Sequence, residues 1–288
     1  MLHRYTAETC VRIHDVDAWG AVPAEVLAAY VENAAWEASA AAGFTETWYR
    51  TLGVAWVIHR LTLVRLGPLG YGDRLTTRTW ISSLGRVRSS RDYEMSGPAG
   101  TPVLTGRADW VFIDRERRVP KGIDRAIVDT FECGDPTPWL VAPPAAAPLP
   151  APGRSAVLTQ RVYRYDADSL GHVNNTIYLR WFDEALAEAL AAAGLPLAAP
   201  GAPGLRLTGT RYVIDYLRSA LPGDTLAISS RLTGTSDDGA TLEWTQEIRC
   251  ADTPAVLIRA VSRQRLLGLD AAGLTAAAVV AALLEEKL

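Results

Sequence analysis

The chain has 288 residues, 49% hydrophobic and 21% charged, with a net charge of −3. These are globular proportions, so wholesale disorder is excluded, and the basic excess of a nucleic-acid binder is missing. The length suits one large domain or two of ordinary size.

The N-terminal stretch MLHRYTAETCVRIHD has no apolar h-region, so no signal peptide is expected and a cytoplasmic location is. Cys10, Cys133 and Cys250 are odd in number and show no CxxC spacing. They read as ordinary thiols, neither a disulfide framework nor a zinc site, so no metal and no cofactor is expected. CVRIHDVD, from Cys10 to Asp17, reads as a strand, and a glycine-containing turn follows it. A helix is expected from about Pro23 to Ala42, with Val26, Leu27, Tyr30, Val31, Ala34 and Ala38 on one face. Pro23 suits its first turn and Gly43 its end. Four strand-like runs come next: AWVIHRLTLVRL, DRLTTRTWISS, SSRDYEM and TGRADWVFID.

Residues 136–154 are rich in proline and alanine and carry no charge before Arg154. They read as a linker of extended character. Beyond it the order repeats. VLTQRVYRYD reads as a strand, and a helix is expected from about Asn175 to Ala193. Its apolar face holds Ile177, Tyr178, Trp181, Phe182, Ala185, Leu186, Ala189 and Leu190, and Gly194 stands at the stop. The strand candidates TRYVIDYL, TLAISSRL, ATLEWTQEIR and LIRAVSRQRLL follow, then a terminal helix in GLTAAAVVAALLEEKL. The apolar run at 276–284 is too short for a membrane span of roughly 20 residues.

The two halves are one unit written twice. At a constant offset of 151, Asp15, Asp17, Gly20 and Val22 fall on Asp166, Asp168, Gly171 and Val173. Glu37 falls on Glu188, Arg60 on Arg211, and Gly72-Asp73 on Gly223-Asp224. Matches of Asp, Gly and Arg in one register mark a duplication. A long apolar helix followed by antiparallel strands predicts an α+β fold in which each sheet wraps its helix.

The segment YRYDADSLGHVNNTIYLRWFDEAL, residues 163–186, resembles the hotdog thioesterase superfamily. Its His-Val-Asn-Asn portion is similar to the acyl-ACP (acyl carrier protein) thioesterases of plants and bacteria. So are GVAWVIHRLTLVRLGPLGYGDRLTTRTWISS, RDYEM and FIDRERRVPKGI in the first half. The resemblance implies a tandem double hotdog. Residues 1–135 would form an N-terminal hotdog contributing to the acyl pocket, and 155–288 a C-terminal hotdog carrying the catalytic motif. It also implies hydrolysis of a fatty or polyketide acyl thioester of acyl carrier protein or CoA. No nucleic-acid partner and no membrane span are expected, and the chain would act as a monomer of two hotdogs or a homodimer.

Two positions depart from the plant pattern. Leu170 stands where those enzymes carry a catalytic Asn, and Ser219-Ala220 where they carry a Glu-Cys pair. Asp168 and His172 remain. Asp168 is expected to act as general base or nucleophile, with His172 orienting water or the carbonyl. Backbone N–H groups around 173–176 (Val173, Asn174, Asn175) would hold the thioester oxygen at the helix N-terminus, and the two asparagines would cap it. Glu184, Ser219 and Asp17 are secondary candidates. In the first unit Ala21 and Pro23-Ala24 replace the His and the Asn pair, so that unit is expected to lack the chemistry. Trp36, Trp56, Trp80 and Trp181 are candidates for an acyl tunnel or for plain core. Arg115 to Lys121, with Arg86, Arg88 and Arg91, form a candidate basic patch for an acidic carrier protein. Two other readings stand beside hydrolysis. A double-hotdog hydratase or dehydratase would carry four residues between its Asp and His, where this chain has three. The third is an acyl-binding or carrier-docking protein without hydrolysis.

Overall fold

The computed structural model describes residues 4–137, 147–149, 153, 155–253 and 255–284. The chain divides into two compact units, Met1–Val22 with Val26–Ala142, and Pro23–Glu25 with Pro143–Leu288. Most of the expected linker, and Lys287, lie outside the described residues.

The first unit contains β1 (Tyr5–Cys10), α1 (Ala24–Ala41), α2 (Glu46–Thr51), β2 (Val54–Arg65), β3 (Arg74–Leu84), β4 (Arg88–Ser96), β5 (Pro102–Asp114) and α3 (Arg125–Thr130). Its strands are antiparallel in the order β1-β3-β4-β5-β2. On α1 the buried stripe is Leu27, Ala28, Val31, Ala34, Ala35 and Ala38. A second cluster joins Phe44, Tyr49, Val54, Ile81, Phe112, Ile127 and Phe131. The six-residue α2 and α3 are additions to the expected elements; Thr45 and Asp124 cap them by accepting from Trp48 N and Ala126 N.

Asp92, fully buried on β4, meets Arg107 of β5 through two bonds, from Nε at 2.7 Å and from Nη2 at 2.8 Å. Its carboxylate also accepts from Ser82 Oγ at 2.8 Å and from Thr137 N at 2.6 Å. Burial opposes the charge, but Arg107 and these donors outweigh it and hold the pKa below the usual carboxylate range.

The second unit contains β6 (Ala147–Pro148), β7 (Ser155–Arg161), α4 (Ile177–Ala192), β8 (Arg206–Tyr216), β9 (Thr225–Thr235), β10 (Thr241–Cys250), β11 (Val256–Leu267) and α5 (Ala276–Leu284). Strands β8, β11, β10 and β9 follow one another in the sheet, and both β6 and β7 pair with β9, all antiparallel. Alternation along β9 buries Leu226, Ile228, Ser230 and Leu232 on one face. Helix α4 packs on β7 and β9. Its buried face is the expected one, with Leu179 added and Ile177 only half-buried. A buried polar chain fixes helix to sheet: Gln246 Nε2 donates to Phe182 O at 3.0 Å and to Ser230 Oγ at 2.9 Å, while Ser262 Oγ donates to Gln246 Oε1 at 2.9 Å. With partners at both ends of its amide, Gln246 escapes the penalty of an unsatisfied buried group. Each unit is a long helix against an antiparallel sheet, so the fold is α+β, a double hotdog.

One expectation needs correction. CVRIHDVD and VLTQRVYRYD are not strands throughout; β1 ends at Cys10 and β7 at Arg161, and each is followed by a 3-10 turn, Ile13–Asp15 and Arg164–Asp166. The cause is local. Asp15 accepts from Arg12 N at 2.8 Å and Asp166 from Tyr163 N at 2.7 Å, and these side-chain bonds turn the backbone out of the sheet.

Candidate active site

In the second unit the 3-10 turn leads into a loop that closes on itself before α4. Asp168 N donates to His172 O at 2.9 Å and Gly171 N to Asp168 O at 3.0 Å. Gly171 sits at φ +75°, a left-handed conformation that a side chain would strain. Asp168 Oδ1 accepts from Leu170 N at 2.8 Å. The turn therefore presents Asp168 and His172 side by side, with His172 Nδ1 3.5 Å from Asp168 Oδ2. Their side chains are 23% and 17% exposed, enough for water to reach both.

The tautomer follows from the neighbours. His172 Nδ1 faces Asp168 Oδ2 and, at 3.2 Å, the carbonyl of Val173. Both are acceptors, so Nδ1 carries the proton and Nε2 is left as the free nitrogen. Asp168 Oδ2 keeps lone pairs for a water or a carbonyl carbon.

The amides named for the oxyanion divide sharply. Val173 N donates to Ala220 O at 3.0 Å, Asn174 N to Asp166 O at 2.9 Å, and Thr176 N to Asn174 Oδ1 at 2.9 Å. These three are committed. The Asn175 N–H has no partner among the described residues and is the donor left for a ligand oxygen. The capping role also changes. Helix α4 begins at Ile177, two residues later than expected, with Thr176 at the cap position. Asn174 Oδ1 accepts from both N and Oγ1 of Thr176, so it braces the turn ahead of the helix, and Asn175 makes no capping bond among the described residues.

Two tyrosines hold the turn: Tyr178, which the sequence placed in the motif and on the helix's apolar face without this role, and Tyr216, which sequence reasoning did not single out. The Tyr216 hydroxyl donates to Asn175 O at 3.0 Å. The Tyr178 hydroxyl accepts from Ala220 N at 3.0 Å, and its pKa is raised by burial and by the Asp168 charge. The sequence signal for Tyr178 was its motif position and its apolar helix face, and Tyr216 carried none beyond its place in a strand-like run. Ser219, beside Ala220, is exposed, and Glu184 is exposed on α4. Neither joins the Asp168–His172 pair.

Asp17 lies in the first unit in the same turn. Asp17 N donates to Ala21 O at 2.8 Å, Gly20 N to Asp17 O at 3.0 Å, and Trp19 N to Asp17 Oδ1 at 2.9 Å. Val22 N donates to Leu69 O as Val173 N does to Ala220 O. Gly20 and Gly171 share the positive φ, as do Gly72 and Gly223. Asp17 differs in one respect: its Oδ1 also accepts from Ala21 N at 3.0 Å, and no histidine faces it. It is occupied as a turn brace. Asp17→Asn retains that acceptor, so thioester turnover is expected to stay within about twofold of the parent in a thiol-release assay. Loss of turnover there would transfer the chemistry to the first unit.

Of the tryptophans, Trp36 and Trp56 line a cavity of the first unit, whereas Trp80 and Trp181 are buried core residues. Among the described residues no group of His, Cys, Asp and Glu could hold a metal ion, and no helix is long and apolar enough to cross a membrane.

Comparison with known proteins covers nearly the whole chain. Residues 3–131 match the family model described as acyl-ACP thioesterase N-terminal domain, and residues 162–286 match that of the thioesterase-like superfamily. Oleoyl-acyl carrier protein thioesterase 1, chloroplastic, of Arabidopsis thaliana is 24% identical over 198 residues, 63% of this chain and 54% of that protein. The chain thus spans about half the length of the curated relatives it matches. An acyl-ACP thioesterase from Bacteroides thetaiotaomicron superposes with a TM-score of 0.71 at 20% identity, covering 91% of this chain and 98% of that one. The 12:0-ACP thioesterase from Umbellularia californica gives 0.73 at 15% identity, with 91% and 94% covered. These likenesses carry the double-hotdog fold.

Proposed function

The chain belongs to the acyl-ACP thioesterase family, and from that premise we propose that it hydrolyses acyl-ACP thioesters, with Asp168 and His172 as the catalytic pair. The observation that supports this most is the Asp168–His172 pair at 3.5 Å, beside the Asn175 amide, which no described residue engages. The thioester oxygen takes the Asn175 N–H. Asp168 Oδ2 removes a proton from water as the water oxygen bonds to the carbonyl carbon, and His172 Nε2 orients that water. The tetrahedral oxyanion is held at Asn175 by a donor already in place. Collapse breaks the carbon–sulfur bond, and the thiolate recovers the proton. Direct attack by Asp168 Oδ2, giving a mixed anhydride that water then opens, uses the same atoms.

The named relatives act on carrier-protein thioesters, and the exposed Arg86, Arg88, Arg117, Arg118 and Lys121 suit an acidic carrier protein. Acyl-ACP and acyl-CoA panels of graded chain length test the proposal. Release of free thiol is the expected result. Binding alone, or change at the 2,3-bond with the thioester intact, would replace hydrolysis by one of the other two readings. Reversing two charges (Arg117→Glu with Arg118→Glu) is expected to raise the KM for acyl-ACP about tenfold and leave acyl-CoA hydrolysis unchanged. Equal effects on both substrates would remove carrier docking from this patch.

A further inference from the structure

Arg91 reads from sequence as part of a surface basic patch. The structure corrects this: Arg91 is only 7% exposed, on β4 of the first unit, facing a cavity of about 60 Å³ lined also by Trp36, Tyr49, Trp56 and Phe131. Its neighbour Asp92 points to the other face of the strand, where Arg107 engages it.

Most of the cavity wall is satisfied; the exceptions are Trp110, whose Nε1 is buried without a hydrogen-bond partner among the described residues, and Arg91. Ser39 Oγ donates to Phe44 O at 2.9 Å, so the Tyr49 hydroxyl donates to Ser39 Oγ, at 2.8 Å. Trp56 Nε1 donates to Tyr49 OH at 3.2 Å. Arg91 has far less. Its Nη1 makes one long bond to Thr79 Oγ1, 3.4 Å, and its guanidinium carbon lies 5.7 Å from the centre of the Phe131 ring. Among the described residues no carboxylate pairs with it. Burial pulls its pKa below the usual arginine value, and a guanidinium still keeps its proton at neutral pH. A buried cation without an anion is costly, and its fork of donors matches a carboxylate in two-point geometry.

We propose that this cavity is a carboxylate-binding site, in which Arg91 receives the head of an aliphatic carboxylate and the indoles of Trp36 and Trp56 flank its chain. The size fits that ligand. A single water needs only about 10–15 Å³ measured this way, so the space admits a carboxylate with its first methylenes and excludes a long chain folded within. Trp36 is 38% exposed, so the wall reaches the surface and the tail has an exit. The carboxylate belongs either to a free acid or to the far end of a dicarboxylic acyl thioester. The proposal does not depend on hydrolysis by the second unit.

The test is a titration of the full chain with hexanoate and with hexanol, followed by tryptophan fluorescence and calorimetry. Hexanoate is expected to bind saturably and at least tenfold more tightly than hexanol. Arg91→Met is expected to abolish that preference and to raise the thermal midpoint of the ligand-free protein, because it removes a buried unpaired charge at similar volume. A purely structural arginine would give the opposite thermal shift. Equal binding of hexanoate and hexanol, no hexanoate binding, or preference retained in Arg91→Met overturns the proposal. If Arg91→Met does not fold, the hexanoate–hexanol comparison on the parent protein decides alone. Displacement of hexanoate by adipoyl-pantetheine but not by hexanoyl-pantetheine identifies the distal carboxylate of a thioester as the source. Displacement by free acids only identifies the free acid.

Discussion

Replacing Asp168 with asparagine is expected to lower thioester hydrolysis by about 10²–10⁴-fold, with the fold retained. The asparagine oxygen still accepts from Leu170 N, which Asp168 Oδ1 does at 2.8 Å, so the turn keeps its brace. What disappears is the charge that, in the proposed mechanism, takes the proton from water or attacks the carbonyl. The second oxygen becomes an NH2 group opposite His172 Nδ1, now 3.5 Å from Oδ2, and two donors then face each other. His172 must change its protonated nitrogen or turn away. Thiol release and the thermal midpoint, measured on the same preparation, separate these effects. A variant that hydrolyses at close to the parent rate would remove Asp168 from the mechanism.

The second large effect concerns stability and lies in the other unit. Asp92→Ala is expected to destabilise the first unit by about 3–5 kcal/mol, because it leaves Arg107 without its buried counter-ion, strands the Thr137 N–H and leaves Ser82 Oγ only its long bond to Ser90 O. On a chain of this size that lowers the melting midpoint by roughly 10 °C. The pH dependence has a defined sign. The carboxyl's pKa is lower folded than unfolded, so its contribution is complete above the unfolded value and declines as the pH falls through the acid range towards the folded one. The parent protein therefore loses more stability than Asp92→Ala on going from pH 7 to acid. Parallel pH–stability curves for the two would show that Asp92 is not the linked group.

Much of this was legible in the chain itself. The 151-residue offset and the 3.6-residue stripe of α4 are long signals, repeated many times, and tertiary packing had nothing to overrule. That Asp168 and His172 stand side by side was legible because a turn fixes neighbours four residues apart without help from the rest of the fold. The errors share another cause. The ends of β1 and β7 are set by single aspartate–backbone bonds, which compete with strand pairing over two or three residues and leave no periodicity. Helices of six residues, such as α2 and α3, are too short to show a face. Arg91 stands among exposed arginines in the sequence, and only the pleat of β4, which sends it and Asp92 to opposite faces, separates it from them. The division of labour among the amides from Val173 to Thr176 depends on Ala220 and Asp166, which no local reading brings to the helix start.

The paired turns around Asp17 and Asp168 bear on how the two copies diverged. The bonds they share are made by backbone groups and by the aspartate oxygen. To those shared bonds position 21 or 172 contributes only its carbonyl, which any amino acid supplies; Ala21 adds an N–H bond to Asp17, and His172 adds its ring beside Asp168. Either histidine or alanine at that position leaves the shared bonds of the turn in place. If Asp168 and His172 carry the chemistry, as proposed, a copy of the unit can lack the histidine and still fold, and its aspartate keeps a second occupation in bracing the turn.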